Sequence, residues 1–239
     1  MSIVALRPQL HLVQLASGQV YLWQDGHELT LVDAGVPGSA AEIATATRSL
    51  GLDPTAIRRI VLTHGHEDHY GSAAEIRGWY GAQVYAHRAD AAVIRGLARR
   101  AEPVLTVLDR PIWEQVQSLG VPDLLVPSEV DVEVTEGDEI DFGGGARVLH
   151  VPGHSPGSIA VYLPQHQVLF TGDTVAAGED GSVMLGVFNQ DEEAMLHGFQ
   201  RLAALDVETA CFGHGAPLVS GAGRLLREAA AAHRLRPLA

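Results

Sequence analysis

The chain has 239 residues, 46% hydrophobic and 19% charged, with a formal net charge of −13. That is enough apolar material for one large domain, and the acidic surface is wrong for holding a phosphate backbone. A single cysteine, Cys211, excludes an intramolecular disulfide and any multi-thiolate metal site. With no signal-like N-terminal segment and no apolar run of bilayer length, the expectation is a cytoplasmic protein without nucleic-acid or membrane partners.

In chain order, Ile3 to Leu15, Gln19 to Trp23 and Glu28 to Asp33 read as strands, with Asp25-Gly26 as a hairpin turn. Gly35 to Ser39 breaks the pattern, and Ala40 to Leu50 reads as a helix stopped near Gly51. Arg58 to Leu62 is a short buried strand that runs into Thr63-His64-Gly65-His66-Glu67-Asp68-His69-Tyr70-Gly71. Ser72 to Trp79 reads as a helix and Gln83 to Ala86 as a strand. Helices at 88–99 and 109–119, interrupted by Pro103, Pro111, Pro122 and Pro127, suggest a helical insertion over about 88–130 near the active site. Such an insertion can act as a lid or a subunit contact, which leaves a homo-oligomer open. A second strand-rich half follows at Val130 to Val134, Ala146 to His150, Ser158 to Leu163 and Gln167 to Thr171. Helix 191–204, strand 208–212 and helix 221–234 complete the chain. Two strand-rich halves, each followed by helices, predict an α/β fold of two sheets face to face with helices outside, in one domain over residues 1–239.

His64, His66, Asp68 and His69 fall within six positions on a loop at a strand's C-terminal end. Histidine and aspartate are poor core formers, and imidazole with carboxylate is a ligand set for a borderline cation such as Zn²⁺. Three later strands lead into similar Gly-rich turns: Pro152-Gly153-His154-Ser155-Pro156-Gly157, Thr171-Gly172-Asp173-Thr174 and Gly213-His214-Gly215. Each turn can project one side chain to a shared point.

With these motifs in this order, and with Leu31-Val32-Asp33-Ala34-Gly35 upstream, the chain resembles a metallo-β-lactamase superfamily hydrolase over nearly its whole length. The resemblance implies a four-layer αβ/βα sandwich of two mixed sheets with helices on the outer faces. It implies two Zn²⁺ per chain, with Fe or Mn as alternatives. His64, His66 and His154 would hold the first ion, Asp68, His69 and His214 the second, and Asp173 would bridge them. Asp33 would orient a ligand. A bridging hydroxide would attack a carbonyl or phosphoryl centre, with Asp68 as the catalytic proton carrier.

Departures from subfamily patterns narrow the substrate. True β-lactamases of the superfamily lack the bridging aspartate, present here as Asp173. One group of lactonases places tyrosine where this chain has Ala176. Glyoxalase II-type thioesterases share the full ligand set but add a C-terminal glutathione-binding region, and little chain follows His214. The expected function is dinuclear-metal hydrolysis of an ester, thioester or lactone of a small molecule. The competing readings are a mononuclear iron persulfide dioxygenase, weak β-lactamase or phosphodiesterase activity, and a non-catalytic metal-binding module. After Asp173, the stretch Gly178 to Asn189 is expected to wall the substrate pocket, with Met184, Leu185 and Phe188 facing an apolar acyl or ring group.

Overall fold

Alternation along the first strands sets the layering. In β2 (Leu10–Gln14) and β3 (Gln19–Asp25), Leu10, Leu12, Tyr21 and Trp23 pack toward one side, and Val13, Val20 and Leu22 toward the other. Both faces are apolar, so both must be covered. The computed structural model describes residues 2–15, 17–107, 109–118, 126–178 and 180–234. Leu119 at the end of one predicted helix, Pro122, and Glu179 in the expected pocket wall lie outside the described residues.

The chain begins with β1 (Ser2–Arg7), then β2, β3 and β4 (Glu28–Val32), α1 (Ala40–Ser49), β5 (Ile57–Val61), α2 (Glu67–Tyr70), α3 (Ala73–Tyr80) and β6 (Gln83–His87). α4 (Arg88–Ile94), α5 (Asp109–Ser118) and β7 (Val132–Val134) follow. β1 to β7 form one seven-stranded sheet in sequence order, antiparallel up to β4 and parallel from β4 onward. The second half carries β8 (Glu139–Ile140), β9 (Ala146–His150), β10 (Ile159–Leu163), β11 (Val168–Phe170), β12 (Val175–Ala177) and β13 (Val183–Leu185). It ends with α6 (Glu192–Ala203), β14 (Thr209–Cys211) and α7 (Ala222–Arg234). Its five-stranded sheet has the order β14-β11-β10-β9-β8, with β11 and β14 parallel.

Separate apolar cores hold the layers together. Ile43, Ala46, Ile76 and Ile94 of the helices pack on Val20, Leu31, Ile60 and Val84 of the first sheet. Between the sheets, Leu12, Trp23, Val32 and Val61 meet Phe142, Val148, Val161 and Phe170. On the far side, Met195, Phe199, Leu202 and Leu226 cover Val151, Ala160, Leu169 and Phe212. The order is therefore helix, sheet, sheet, helix, as the sequence predicts. No helix among the described residues is long and apolar enough to cross a membrane.

The structure corrects several element readings. The predicted strand from Ile3 to Leu15 is two strands joined by a turn at Pro8-Gln9, where proline supplies no N–H for a ladder. The helix predicted over 88–99 ends at Ile94. Gly96 takes φ +70°, and Leu97 N–H returns to the Ala92 carbonyl, which closes the helix. The wall expected over 178–189 contains β13, which pairs with β12 in a hairpin of three-residue strands, too short to show a period.

Candidate metal centre

All the motif residues gather at one edge of the sandwich because each follows the C-terminal end of a strand. Asp33 follows β4, and His64 and His66 follow β5. His154 lies between β9 and β10, Asp173 follows β11, and His214 follows β14. Asp68 and His69 ride on the single turn of α2, with His66 at its N-cap.

His64 Nε2 lies 3.1 Å from His66 Nδ1, which lies 2.8 Å from His154 Nε2. The three rings stand nearly perpendicular to one another, at 83°, 84° and 77°. Around them, Asp68 Oδ2 is 3.1 Å from His214 Nε2 and 3.6 Å from His69 Nε2. Asp173 reaches both clusters. Its Oδ2 lies 3.5 Å from His154 Nε2 and 3.4 Å from His214 Nε2, and its Oδ1 lies 3.4 Å from His69 Nε2. The ligating atoms of His64, His66 and His154, of His64, His69 and Asp173, and of Asp68, His69 and His214 each lie within 4.8 Å of one another.

Hydrogen bonds behind the rings assign the tautomers. Asp33 accepts from Thr63 N–H at 2.8 Å, from the Thr63 hydroxyl at 2.9 Å and from His69 Nδ1–H at 2.9 Å. The Thr63 hydroxyl has spent its proton on Asp33, so its oxygen accepts from His64 Nδ1–H at 3.1 Å. Asn189 donates Nδ2–H to the Gly186 carbonyl at 2.7 Å, so its Oδ1 accepts from His154 Nδ1–H at 3.3 Å. In their neutral forms, His64, His69 and His154 therefore all present an Nε2 lone pair to the centre. Asp33 holds its position with φ +65°, a left-handed conformation that aspartate tolerates better than most residues.

The donor set fits a divalent cation. Lone pairs of His64, His66 and His154 face one another at hydrogen-bond distance, and one proton on His66 can relieve only one of the two contacts. Among the described residues, His69 Nε2 and Asp173 Oδ1 are buried without a hydrogen-bond partner. Aromatic nitrogen and carboxylate oxygen in this arrangement match zinc-type coordination.

The two clusters differ electrically. Burial, reinforced by neighbouring imidazoles, holds His64 far below its ordinary value and His66 down to about 3. Burial also lowers His154 against the opposing pull of Asp173. Across the centre, Asp173 pushes His214 up to about 10 against burial. Burial alone would lower His69, but Asp173, Asp68 and Asp33 outweigh it and raise it. The Asp68 carboxyl, which burial would raise, is held down by His69 and His214. Asp173 is held down likewise by His214 and His69.

Met184 and Phe188 are both half-buried. Met184 pairs with Ala176 in the β12–β13 hairpin, whose Ala177 N–H bonds the His214 carbonyl. Phe188 adopts φ +61° beside Asn189, and its ring meets Trp113 of α5 edge-on at 5.0 Å. Val104 N–H donates to the Asn189 carbonyl, and Arg100 approaches Glu67 at 3.4 Å, so the segment before α5 lies against the centre. A cleft of about 510 Å³ opens beside His214, lined by Ser2, Gln14, Leu15, Gly18, Gln19 and Gly215. Neither Met184 nor Phe188 lines it. Sequence reasoning missed Thr63 and Asn189 as partners of the histidines. Thr63 could have been found by its adjacency to His64, but nothing local marks Asn189.

The sequence profile of the metallo-beta-lactamase superfamily matches residues 14–214. A probable metallo-hydrolase, YflN of Bacillus subtilis, is 27% identical over 230 residues, covering 86% of this chain and 83% of that protein. A hydroxyacylglutathione hydrolase of Cereibacter sphaeroides is 32% identical over 160 residues, covering 66% of this chain. Only 48% of that hydrolase is matched, so the chain spans about half its length. The crystal structure of a metallo-beta-lactamase family protein, TTHA1429 of Thermus thermophilus, superposes with a TM-score of 0.70 at 26% identity. That match covers 96% of this chain and 81% of the other.

Proposed function

We propose that this chain, which belongs to the metallo-beta-lactamase superfamily, is a dinuclear hydrolase acting on the carbonyl of a small ester, thioester or lactone. It is a metal-dependent hydrolase; the dinuclear state and the substrate class are the parts proposed. One observation carries the reading. Asp173 stands within 3.5 Å of nitrogens in both histidine clusters, and two buried atoms there, His69 Nε2 and Asp173 Oδ1, have no hydrogen-bond partner among the described residues.

His64, His66 and His154 would hold one ion, Asp68, His69 and His214 the other, and Asp173 would contact both; zinc suits this donor set best. The chemistry supplied by such a bound pair is Lewis acidity, which makes water nucleophilic near neutral pH and polarises a carbonyl oxygen. Asp33 fixes the Nδ1–H tautomer of His69 directly and that of His64 through Thr63. Asp68, on the more open side of the centre, would take a proton from water and return it to the leaving atom. Phe188 and Trp113 form an aromatic wall beside Asn189, and Met184 adds apolar surface on the hairpin. These residues suit an acyl chain or ring, while the cleft beside His214 leaves room for the rest of a small substrate. The similarity to hydroxyacylglutathione hydrolases also supports an acyl substrate.

Metal analysis of protein purified without chelators should give about two ions per chain. A screen of esters, thioesters, lactones, phosphodiesters and β-lactams on zinc-, iron- and manganese-loaded protein should find turnover among the first three classes. Protein that binds none of these metals and turns over none of these substrates would overturn the proposal.

A further inference from the structure

A second buried carboxylate lies just behind the centre, and the chemistry above does not use it. Asp90, in the first turn of α4, is 2% exposed. Among the described residues it has no ion-pair partner. A lone buried anion is costly, and here three donors offset that cost. Gly65 N–H donates to Asp90 Oδ2 at 2.8 Å, the Ser155 hydroxyl to the same oxygen at 2.5 Å, and Gly157 N–H to Oδ1 at 2.7 Å. Ser158 Oγ steadies Ser155 from the other side, accepting from its backbone N–H at 3.0 Å.

The chain positions of these donors give the arrangement its meaning. Gly65 stands between His64 and His66, and Ser155 follows His154. One carboxylate therefore joins the loop carrying two of the first-site histidines to the loop carrying the third, which lies almost ninety residues later in the chain. Both glycines allow the approach. A Cβ on Gly157 would lie 2.5 Å from Asp90 Cγ, and one on Gly65 would lie 3.3 Å from the Asp90 side chain. The second cluster is braced elsewhere. Tyr21 OH bonds the Phe212 carbonyl at 2.7 Å, and Gln19 Nε2 bonds the Gly215 carbonyl at 2.6 Å, on either side of His214.

We propose that Asp90 is a positioning residue that sets the spacing of His64, His66 and His154, and through it the metal affinity of the first site alone. The inference rests on reading the cluster as a metal centre. A carboxylate suits this place because it presents acceptor oxygens to both loops and no donor to either. An asparagine of the same shape must turn its NH₂ toward either Gly65 N–H or Gly157 N–H, so one loop is released whichever way it sits.

The test measures zinc affinity by competition with a chromophoric chelator, resolving both sites, for wild type, Asp90→Asn, Ser155→Ala and Asp131→Asn. Asp131 is the control: a carboxylate that accepts from Val84 N–H and Arg77 away from the centre. Asp90→Asn should weaken the first site about 10–100-fold and leave the second within a few-fold. Asp131→Asn should lower Tm while both affinities stay at wild-type values. Ser155→Ala removes one of the three bonds to Asp90, with the hydroxyl's contact to Ser158 Oγ, and keeps both backbone amides, so it should give a smaller loss confined to the first site. It decides the question if Asp90→Asn fails to fold. Wild-type affinity at both sites in the Asp90 and Ser155 variants overturns the inference, as does equal weakening of both sites. Wild-type protein that binds no zinc brings down the reading of the centre itself, and this inference with it.

Discussion

The two halves of the centre are built from similar residues in opposite surroundings. His64 and His154 are almost fully buried, and all three first-half histidines are held neutral by burial. In the second half, the His214 side chain is 43% exposed and Asp68 29%, and carboxylates keep His69 and His214 prone to protonation. The first half is thus a dry pocket of lone pairs that a cation enters without displacing protons. The second, open to solvent at His214 and Asp68 around a fully buried His69, is a charged set in which a cation must compete with them. On the proposed reading, the buried side would anchor an ion and the open side would handle protons.

The comparison breaks most visibly at Asp68. Asp68→Ala should lower kcat by about 10²–10⁴-fold, with first-site metal retained in elemental analysis. An unchanged rate on a confirmed substrate would remove Asp68 from the chemistry.

Asp33 braces both halves from behind, His69 directly and His64 through Thr63. Asp33→Asn keeps the left-handed backbone but leaves one good acceptor where three donors converge. Both sites should weaken about 10–100-fold in a zinc competition assay, whereas a loss at only one site would contradict the Thr63 connection.

Acid should separate the halves. Protons compete for His69 and His214 at higher pH than for His64, His66 and His154. Stepwise acidification of metal-loaded protein should therefore release the second ion first, with more proton exchange per ion. In the metal-free protein, His214 has its pKa raised from an ordinary 6.5 to about 10, and His69 is raised too, by Asp173, Asp68 and Asp33. Their contribution to stability is complete below about pH 6.5 and is lost as the pH climbs toward 10. Asp68 and Asp173, held below 3.8, contribute above that pH and lose their contribution in acid. His64, His66 and His154, held neutral by burial, subtract stability as the pH drops below 6.5, because only the unfolded chain protonates them. Melting temperature of chelated protein should accordingly peak near pH 6.5 and fall on both sides, and added zinc should abolish the alkaline fall. A flat alkaline limb without metal would contradict the charge assignment.

The smallest effect belongs to Asn189. Asn189→Ala removes the acceptor behind His154 and should weaken the first site about tenfold, leaving the second unchanged in the same competition assay.

Much of this centre was legible in the chain because its parts are local. His64, His66, Asp68 and His69 share one loop, and His154, Asp173 and His214 each sit on a Gly-rich turn at a strand's end. The layering was legible too, since strands with apolar residues on both faces need cover on both. Short-range physics decides such features, through side-chain alternation, turn chemistry and ligand type. The tertiary structure alone decided the rest. It divided the first strand at Pro8-Gln9, paired Val175–Ala177 with Val183–Leu185 in a hairpin, and set Phe188 against Trp113. It also brought Asn189 behind His154 and Asp90 behind the loops of His64 and His154, across separations of 35, 25 and 65 residues. An aspartate in a helix's first turn reads as an ordinary helix start. That Asp90 is a buried clamp depends on which two loops the packed sheets bring within its reach, and no pattern local to residue 90 encodes that.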